Sequence, residues 1–165
     1  MPVLTLAVDM DKCTGCKACV VACSFVKHRK YSHERALICV HKDESQCLSI
    51  PMLCEHCITP PCKAACPLHA IAKDPDTAVV HVLKDRCNGC GKCISACPFG
   101  AIFLRDGVAV NCDICGGDPA CLKVCIPGAV ELLLSPEKDP IERKWSLASK
   151  RLRALASLKS RVGKR

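Results

Sequence analysis

The sequence is poor in large aromatic side chains: Phe, Trp and Tyr make up only 3% of its 165 residues. A chain of this length can form one or two small domains. A conventional apolar core of that size would normally contain more of these bulky side chains. The scarcity indicates that something other than a large apolar core organises the fold.

The sequence also lacks long apolar stretches and targeting signals. Its most apolar stretches, 19–26 and 129–134, are far shorter than the ~20 residues that span a bilayer. Residues 1–12 contain no basic region, no twin-arginine pair and no small-residue cleavage site. We therefore expect no transmembrane segment and a cytoplasmic location, where thiols stay reduced and dense cysteine favours metal binding over disulfides.

Cysteine, by contrast, is abundant, at 18 of 165 residues, and in this range covalent or metal chemistry organises a fold. Sixteen of the cysteines fall into four groups of similar spacing. These groups are Cys13-x2-Cys16-x2-Cys19-x3-Cys23, Cys54-x2-Cys57-x4-Cys62-x3-Cys66, Cys87-x2-Cys90-x2-Cys93-x3-Cys97 and Cys112-x2-Cys115-x5-Cys121-x3-Cys125. The residues after the last cysteine also repeat in three of the groups, so one ancestral unit has been copied.

Short elements are predicted around these groups. Strands are predicted at 3–8, 37–40 and 78–82. Short helices that carry the last cysteines are predicted at 17–26, 63–66, 92–97 and 122–125. The fold class is therefore α+β.

A basic amphipathic helix is predicted at 135–165. This segment holds ten Lys or Arg residues against three acidic ones, which is +7 of the formal net charge of +8. Its apolar residues share one helical face: Trp145, Ala148, Leu152, Leu155 and Val162. The segment has too little apolar surface to fold alone, so we expect it to lie on its own body or on a partner. Docking on a partner subunit is favoured over contact with a membrane or nucleic acid.

The spacing of the third group, C-x2-C-x2-C-x3-C-P, matches the bacterial ferredoxin signature residue for residue. In that signature three cysteines hold one iron-sulfur cluster and the fourth ligates the cluster of another group, so groups work in pairs. Zinc fits less well, because structural zinc uses two pairs of ligands and leaves the third cysteine of each loop without a role. The absence of a C-x-x-C-H motif argues against c-type haem.

With these motifs the sequence resembles the dimethyl sulfoxide reductase iron-sulfur subunit family, the four-cluster ferredoxin-like electron-transfer subunits of molybdenum and tungsten enzymes. The resemblance covers roughly residues 5–130. It is carried by all four cysteine groups in register, with Lys42-Asp-Glu44, Pro60-Pro61 and Gly117-Asp-Pro119 between them. Longer relatives add membrane anchors or insertions that this sequence lacks, so it is most similar to the short soluble branch.

The resemblance implies four 4Fe-4S clusters held by crossed sets of cysteines. The implied sets are Cys13, Cys16, Cys19 and Cys125; Cys112, Cys115, Cys121 and Cys23; Cys54, Cys57, Cys62 and Cys97; and Cys87, Cys90, Cys93 and Cys66. It also implies two interlocked bacterial-ferredoxin-like modules. The outer module would comprise 1–50 and 107–134, the inserted module 51–106, and the helical tail 135–165.

The implied function is electron transfer without catalysis. The expected partners are a large catalytic subunit, favoured as a tungsten or molybdenum aldehyde oxidoreductase, and a second electron carrier or flavin subunit. Self-association through exposed terminal clusters is a further option, and no nucleic-acid partner is expected. The alternatives are a relay subunit of a hydrogenase or carbon monoxide dehydrogenase module, an iron-sulfur maturation factor, and a zinc-binding interaction module.

Cys39, His56 and three glycines are not expected to be cluster ligands. Cys39 lies in an apolar strand and is expected to belong to the core, as free cysteines often do. His56 is expected to pack in its loop, with a hydrogen bond to a cluster sulfur as the functional alternative. Gly15, Gly89 and Gly91 are expected to give the cluster loops the backbone freedom they need.

Overall fold

The computed structural model describes residues 3–135 and 138–162. In these residues the chain forms eight short strands and five α-helices. The strands are β1 Val3–Val8, β2 Cys39–Asp43, β3 Leu48–Met52, β4 Ile71–Lys73, β5 Val80–Val82, β6 Ile102–Arg105, β7 Val108–Asn111 and β8 Val130–Ser135. The helices are α1 Ala18–His28, α2 Pro61–Ala64, α3 Lys92–Ala96, α4 Ala120–Lys123 and α5 Lys138–Val162. The fold is therefore α+β, as predicted.

The strands form four separate antiparallel ribbons: β1 with β8, β2 with β3, β4 with β5, and β6 with β7. The β1–β8 ribbon is the one that joins distant parts of the chain, pairing Val3 with Ser135 and Val8 with Val130. On the same side of the molecule α1 packs against α4. The first and fourth cysteine groups therefore lie side by side.

The second and third cysteine groups are brought together by a smaller core. Helix α2 packs against α3, and β5 packs against β7. Ile71, Val80, Ile102 and Ala109 are buried together there, with cysteines of both groups. The chain thus has two regions of paired cysteine groups, one built from its ends and one from its middle.

The predicted module boundaries fall within two hairpins. The boundary at 50/51 falls inside β3, and the one at 106/107 falls in the turn between β6 and β7. The division into two modules itself stays a prediction.

The two shortest helices begin earlier than expected. The helix predicted at 63–66 is Pro61–Ala64, and the one predicted at 122–125 is Ala120–Lys123. Each starts directly after a proline, whose fixed φ suits the entry to a helix. The last cysteine of each group consequently follows its helix instead of lying in it.

The predicted C-terminal helix forms as α5, while residues 136–137 and 163–165 of that tail lie outside the described residues. Helix α5 packs against β1, β3 and β8, and it buries Ala148 and Leu155 in a core that it shares with the body. Its apolar face is thus covered by the chain itself. Docking on a partner subunit stays a prediction, and the partner would have to contact the outward face of α5.

None of the helices in the described ranges is both long and apolar enough to cross a membrane.

Candidate metal centres

Each cysteine group begins in a loop and continues into a short helix. In the third group Cys87 and Cys90 lie in the loop, Cys93 lies in α3, and Cys97 follows that helix directly. The second and fourth groups repeat this plan with α2 and α4, whereas in the first group both Cys19 and Cys23 lie inside α1. All eighteen cysteines have free thiols.

Three pockets are lined by cysteines from two different groups. In each one, three cysteines of a loop meet the last cysteine of another group. The combinations are Cys13, Cys16 and Cys19 with Cys125; Cys54, Cys57 and Cys62 with Cys97; and Cys87, Cys90 and Cys93 with Cys66. We name these the Cys13 set, the Cys54 set and the Cys87 set. Apolar side chains such as Val130, Phe99 and Ile71 supply most of the remaining lining.

The remaining four ligand candidates, Cys112, Cys115, Cys121 and Cys23, form the Cys112 set. Burial, and after it repulsion from Cys23 and Cys115, raises the pKa of the Cys121 thiol to about 12. The pKa of Cys23 is likewise raised, first by burial and then by Cys115. These mutual effects require the thiols to lie close together. The structure therefore brings together all four combinations that the resemblance implies, and iron binding by them remains a prediction.

The donor groups around these thiols suit an anionic iron-sulfur cluster. Backbone N–H groups donate hydrogen bonds to cysteine sulfurs in all four sets, at distances of 3.3–3.5 Å. The pairs are Leu37 N to Cys23, Ala70 N to Cys66, Ala101 N to Cys97, Ala109 N to Cys87, Ile114 N to Cys112 and Val130 N to Cys125. Such bonds stabilise the thiolate that a metal requires. Four thiols and fixed N–H donors thus fit a 4Fe-4S cluster at each set, and the Cys13, Cys54 and Cys87 sets add an apolar lining.

Burial also favours the protonated form of several of these thiols. It raises the pKa of Cys19 and of Cys62 to about 11. Since a metal binds the thiolate, filling these sites releases protons, and the metal must supply the free energy for that release.

Glycine is needed where the third loop passes close to the β6–β7 turn. Gly89 has a φ of +73°, and a Cβ added there would lie 2.3 Å from the carbonyl oxygen of Gly107. Gly91 has a similar φ of +75° but no neighbour within 4 Å of an added Cβ. The loop therefore needs Gly89 for both conformation and space, and Gly91 for conformation alone.

Helix α5 places two buried cations beside the second cysteine group. Arg151, which is 0% exposed, donates to the carboxylate of Glu55, which is 1% exposed. Lys144 donates to the backbone carbonyl of Glu55 and to Thr5. This network was not predicted from the sequence. The sequence did contain an indication of it. Lys144 and Arg151 are seven residues apart, and this helical spacing puts them on the same side of α5 as the apolar residues.

His56 is buried, and its ring is already engaged through Nδ1. That atom accepts a hydrogen bond from Val80 N at 2.9 Å, while Nε2 has no partner. Burial, and after it the charge of Lys144, lowers the pKa of His56 to about 4, so the ring is neutral at neutral pH. Nδ1 lies 3.8 Å from Cys54 Sγ. Because Nδ1 accepts from Val80, it carries no proton to donate to that sulfur.

Asn111, the last residue of β7, was not identified from the sequence. Its side-chain amide lies 3.5 Å from the sulfur of Cys54 and is largely buried. The sequence feature that could have identified it is the position of this amide side chain directly before Cys112.

Cys39 and Cys47 lie outside the four sets. Cys39 is half-buried and packs against the core that α5 shares with the body, and its sulfur lies 3.5 Å from His41 Nε2. Cys47 is exposed.

Comparison with known protein families identifies two matching regions. A 4Fe-4S dicluster domain matches residues 45–134, which is more than half of the chain, and a 4Fe-4S binding domain matches residues 5–27.

Two curated relatives have names that describe a role. The aliphatic sulfonate oxidoreductase, polyferredoxin-like subunit of Pyrococcus furiosus is 35% identical over 88% of this chain and 91% of its own length. The thiosulfate reductase electron transfer subunit PhsB of Salmonella typhi is 34% identical over 74% of this chain and 71% of its own. Other relatives are much longer, and the chain spans only 21% of the Escherichia coli protein UacF.

Among solved structures, a chain of the active site complex BamBC of benzoyl coenzyme A reductase, in complex with benzoyl-CoA, has a similar fold. The TM-score is 0.51 with 24% sequence identity, over 90% of this chain and 91% of that one. At this identity the similarity concerns the fold alone.

Proposed function

The chain belongs to the 4Fe-4S dicluster domain family, and from that premise we propose that it is the electron-transfer subunit of an oxidoreductase complex. It relays single electrons between a separate catalytic subunit and a second electron carrier. Named relatives are electron-transfer or polyferredoxin-like subunits of oxidoreductases. Catalysis accordingly belongs to another chain.

The observation that carries this proposal is the arrangement of the four cysteine sets in a row. Cys19 of the Cys13 set packs against the same apolar cluster that contains Cys23 and Cys121 of the Cys112 set. Cys54 and Cys112 are also neighbours, because Asn111 Nδ2 lies 3.5 Å from Cys54 Sγ and 3.1 Å from the carbonyl oxygen of Cys112. The Cys54 and Cys87 sets meet where α2 packs against α3. The supported order is therefore the Cys13, Cys112, Cys54 and Cys87 sets.

Exposure varies along this row in the way a relay requires. Each end set contains an exposed cysteine, Cys16 in the Cys13 set and Cys90 in the Cys87 set. Every cysteine of the two inner sets is buried or half-buried. Electrons can therefore enter and leave at the two ends, while the chain shields the middle from water.

The bound clusters would supply one-electron redox chemistry. The residues of this chain hold each cluster by four thiolates, exclude water with apolar linings and direct backbone N–H groups at the sulfurs. These features set the potential of each site.

As the catalytic partner we favour a tungsten or molybdenum oxidoreductase, on the strength of the family resemblance in all four cysteine groups. We also propose a cytoplasmic location, because the eighteen free thiols suit a reducing compartment. A second electron carrier or flavin subunit would dock at the opposite end of the row.

Anaerobic purification of the native complex tests the function. We expect about sixteen iron atoms per chain, together with tungsten or molybdenum on a large companion subunit. Nickel on the companion subunit would instead indicate that the chain is the relay subunit of a hydrogenase or carbon monoxide dehydrogenase module. Zinc without iron would refute it, and iron with only a transient, metal-free companion would favour a maturation factor.

The crossed pairing is tested by comparing three single-ligand variants by electron paramagnetic resonance. Cys97→Ser should lose the same signal as Cys57→Ser, since both residues line the pocket of the Cys54 set. The matched control is Cys90→Ser, in the loop that also carries Cys97. If Cys97→Ser loses the signal that Cys90→Ser loses, the pairing within one group is correct and the crossed pairing is wrong.

A further inference from the structure

A polar side chain lies between the two inner cysteine sets. Asn111 is 9% exposed and directly precedes Cys112 in the chain. Its Nδ2 lies 3.5 Å from Cys54 Sγ, 2.7 Å from the carbonyl oxygen of Val80 and 3.1 Å from that of Cys112. One side chain thus contacts a cysteine of the Cys54 set and the backbone of a cysteine of the Cys112 set.

The partners determine the orientation of this amide. Two backbone carbonyls can only accept hydrogen bonds, and a cluster thiolate can only accept as well. All three partners would repel the amide oxygen, so the NH2 group must face them. Asn111 is therefore a hydrogen-bond donor to the sulfur of Cys54.

This donor differs from the others around the cysteine sets. Elsewhere in the described part of the chain, the N–H groups that donate to the sixteen ligand candidates belong to the backbone. Asn111 is the side-chain donor among them, so a single substitution can remove its hydrogen bond to the sulfur.

His56 and Asn111 bind the backbone of the same residue, Val80, on either side of its Cα. Val80 donates its N–H to His56 Nδ1 and accepts from Asn111 Nδ2 at its carbonyl. This places β5 as a brace between the Cys54 loop and the end of β7. The bridge keeps the amide of Asn111 at a fixed distance from Cys54.

We propose that Asn111 is a positioning and tuning residue for the step between the two inner sets, raising the reduction potential of the cluster at the Cys54 set. The proposal rests on the proposed function. Reduction adds negative charge to the cluster and its sulfurs, so an N–H donor stabilises the reduced form more than the oxidised form. The increase in reduction potential applies to the cluster at the Cys54 set, which exchanges electrons with the cluster at the Cys112 set.

Anaerobic redox titration of the iron-loaded chain, followed by electron paramagnetic resonance, tests this role. Asn111→Leu removes the donor and keeps a side chain of similar size. We expect one reduction step to move to lower potential, with the reduced-to-oxidised ratio at a fixed potential falling about tenfold. That step should be the one that disappears in Cys57→Ser.

Asn88→Leu is the matched control, because Asn88 is exposed and directly follows Cys87 but accepts from Cys90 N through its oxygen. It should leave the Cys54-set step unchanged. If Asn111→Leu loses iron, Asn111→Asp keeps the shape and replaces the donor by an acceptor oxygen, and the same step should fall at least as far.

Full iron content with no shift in the Cys54-set step, or an equal shift of all four steps, would overturn the role of Asn111 and leave the electron-transfer function intact. A wild-type chain that binds no iron would instead refute the proposed function.

Discussion

Replacing Arg151 by Met should destabilise the protein strongly, although residue 151 is far from the cysteine groups in sequence. The guanidinium is fully buried, donates to Glu55 and donates to the carbonyl of Pro51 at 3.2 Å. Met fills similar space but leaves the buried carboxylate of Glu55 without its main partner. Breaking a buried ion pair from one side lowers the free energy of unfolding by ~3–5 kcal/mol.

The lower end of this range is expected here, because a second cation remains. Lys144 Nζ lies 3.9 Å from the other carboxylate oxygen of Glu55. A loss of about 3 kcal/mol corresponds to a decrease of roughly 6–12 °C in apparent melting temperature, at ~2–4 °C per kcal/mol for a chain of this size. The assay is anaerobic melting of the iron-loaded protein, followed by its visible absorbance.

Arg153→Met is the matched control, since Arg153 lies on the exposed side of the same helix. Its effect should be about 0.5 kcal/mol or less. Adding Glu55→Gln to Arg151→Met should recover part of the loss, because the uncompensated charge is then removed. Equal effects of Arg151→Met and Arg153→Met, or strictly additive losses with Glu55→Gln, would refute the reasoning.

Two other sets of variants test the cysteine loops. Gly89→Ala should reduce both iron content and melting temperature, because its Cβ would collide with the carbonyl of Gly107. Gly91→Ala should add only backbone strain of ~1–2 kcal/mol and keep its iron, and equal iron loss in the two would contradict the steric argument. Cys39→Ser and Cys47→Ser should each retain the full iron content after anaerobic reconstitution, since neither residue lines the pockets of the Cys13, Cys54 and Cys87 sets. Loss of a whole cluster from either variant would reassign the ligands.

The bridge through Asn111 and the cations of α5 act on the same loop from different sides. Lys144 donates to the backbone carbonyl of Glu55, between Cys54 and His56. Asn111 approaches the sulfur of Cys54 itself. Together with β5, whose Val80 donates to His56, the second cysteine group is held by three distant elements, β5, β7 and α5. This fits its position as an inner set of the row.

The sequence alone determined the local chemistry of this protein. The spacing of the cysteines, the strand at Val3–Val8, the glycines of the loops and the amphipathic character of the last helix all follow from residues close together in the chain. Local spacing is sufficient for these features because a tight loop or a helical turn involves only a few neighbouring residues. The crossed pairing came from family resemblance, since spacing within a group does not indicate which group is its partner.

Only the tertiary structure decided which distant residues meet. The pairing of β1 with β8 brings the first and fourth groups together across more than a hundred residues of sequence. Lys144 and Arg151 are buried because Glu55 lies beneath α5. Asn111 became a candidate site residue because β7 ends beside Cys54. Contacts of this kind depend on how separate elements pack, and the periodicity of one element does not indicate which element packs against it.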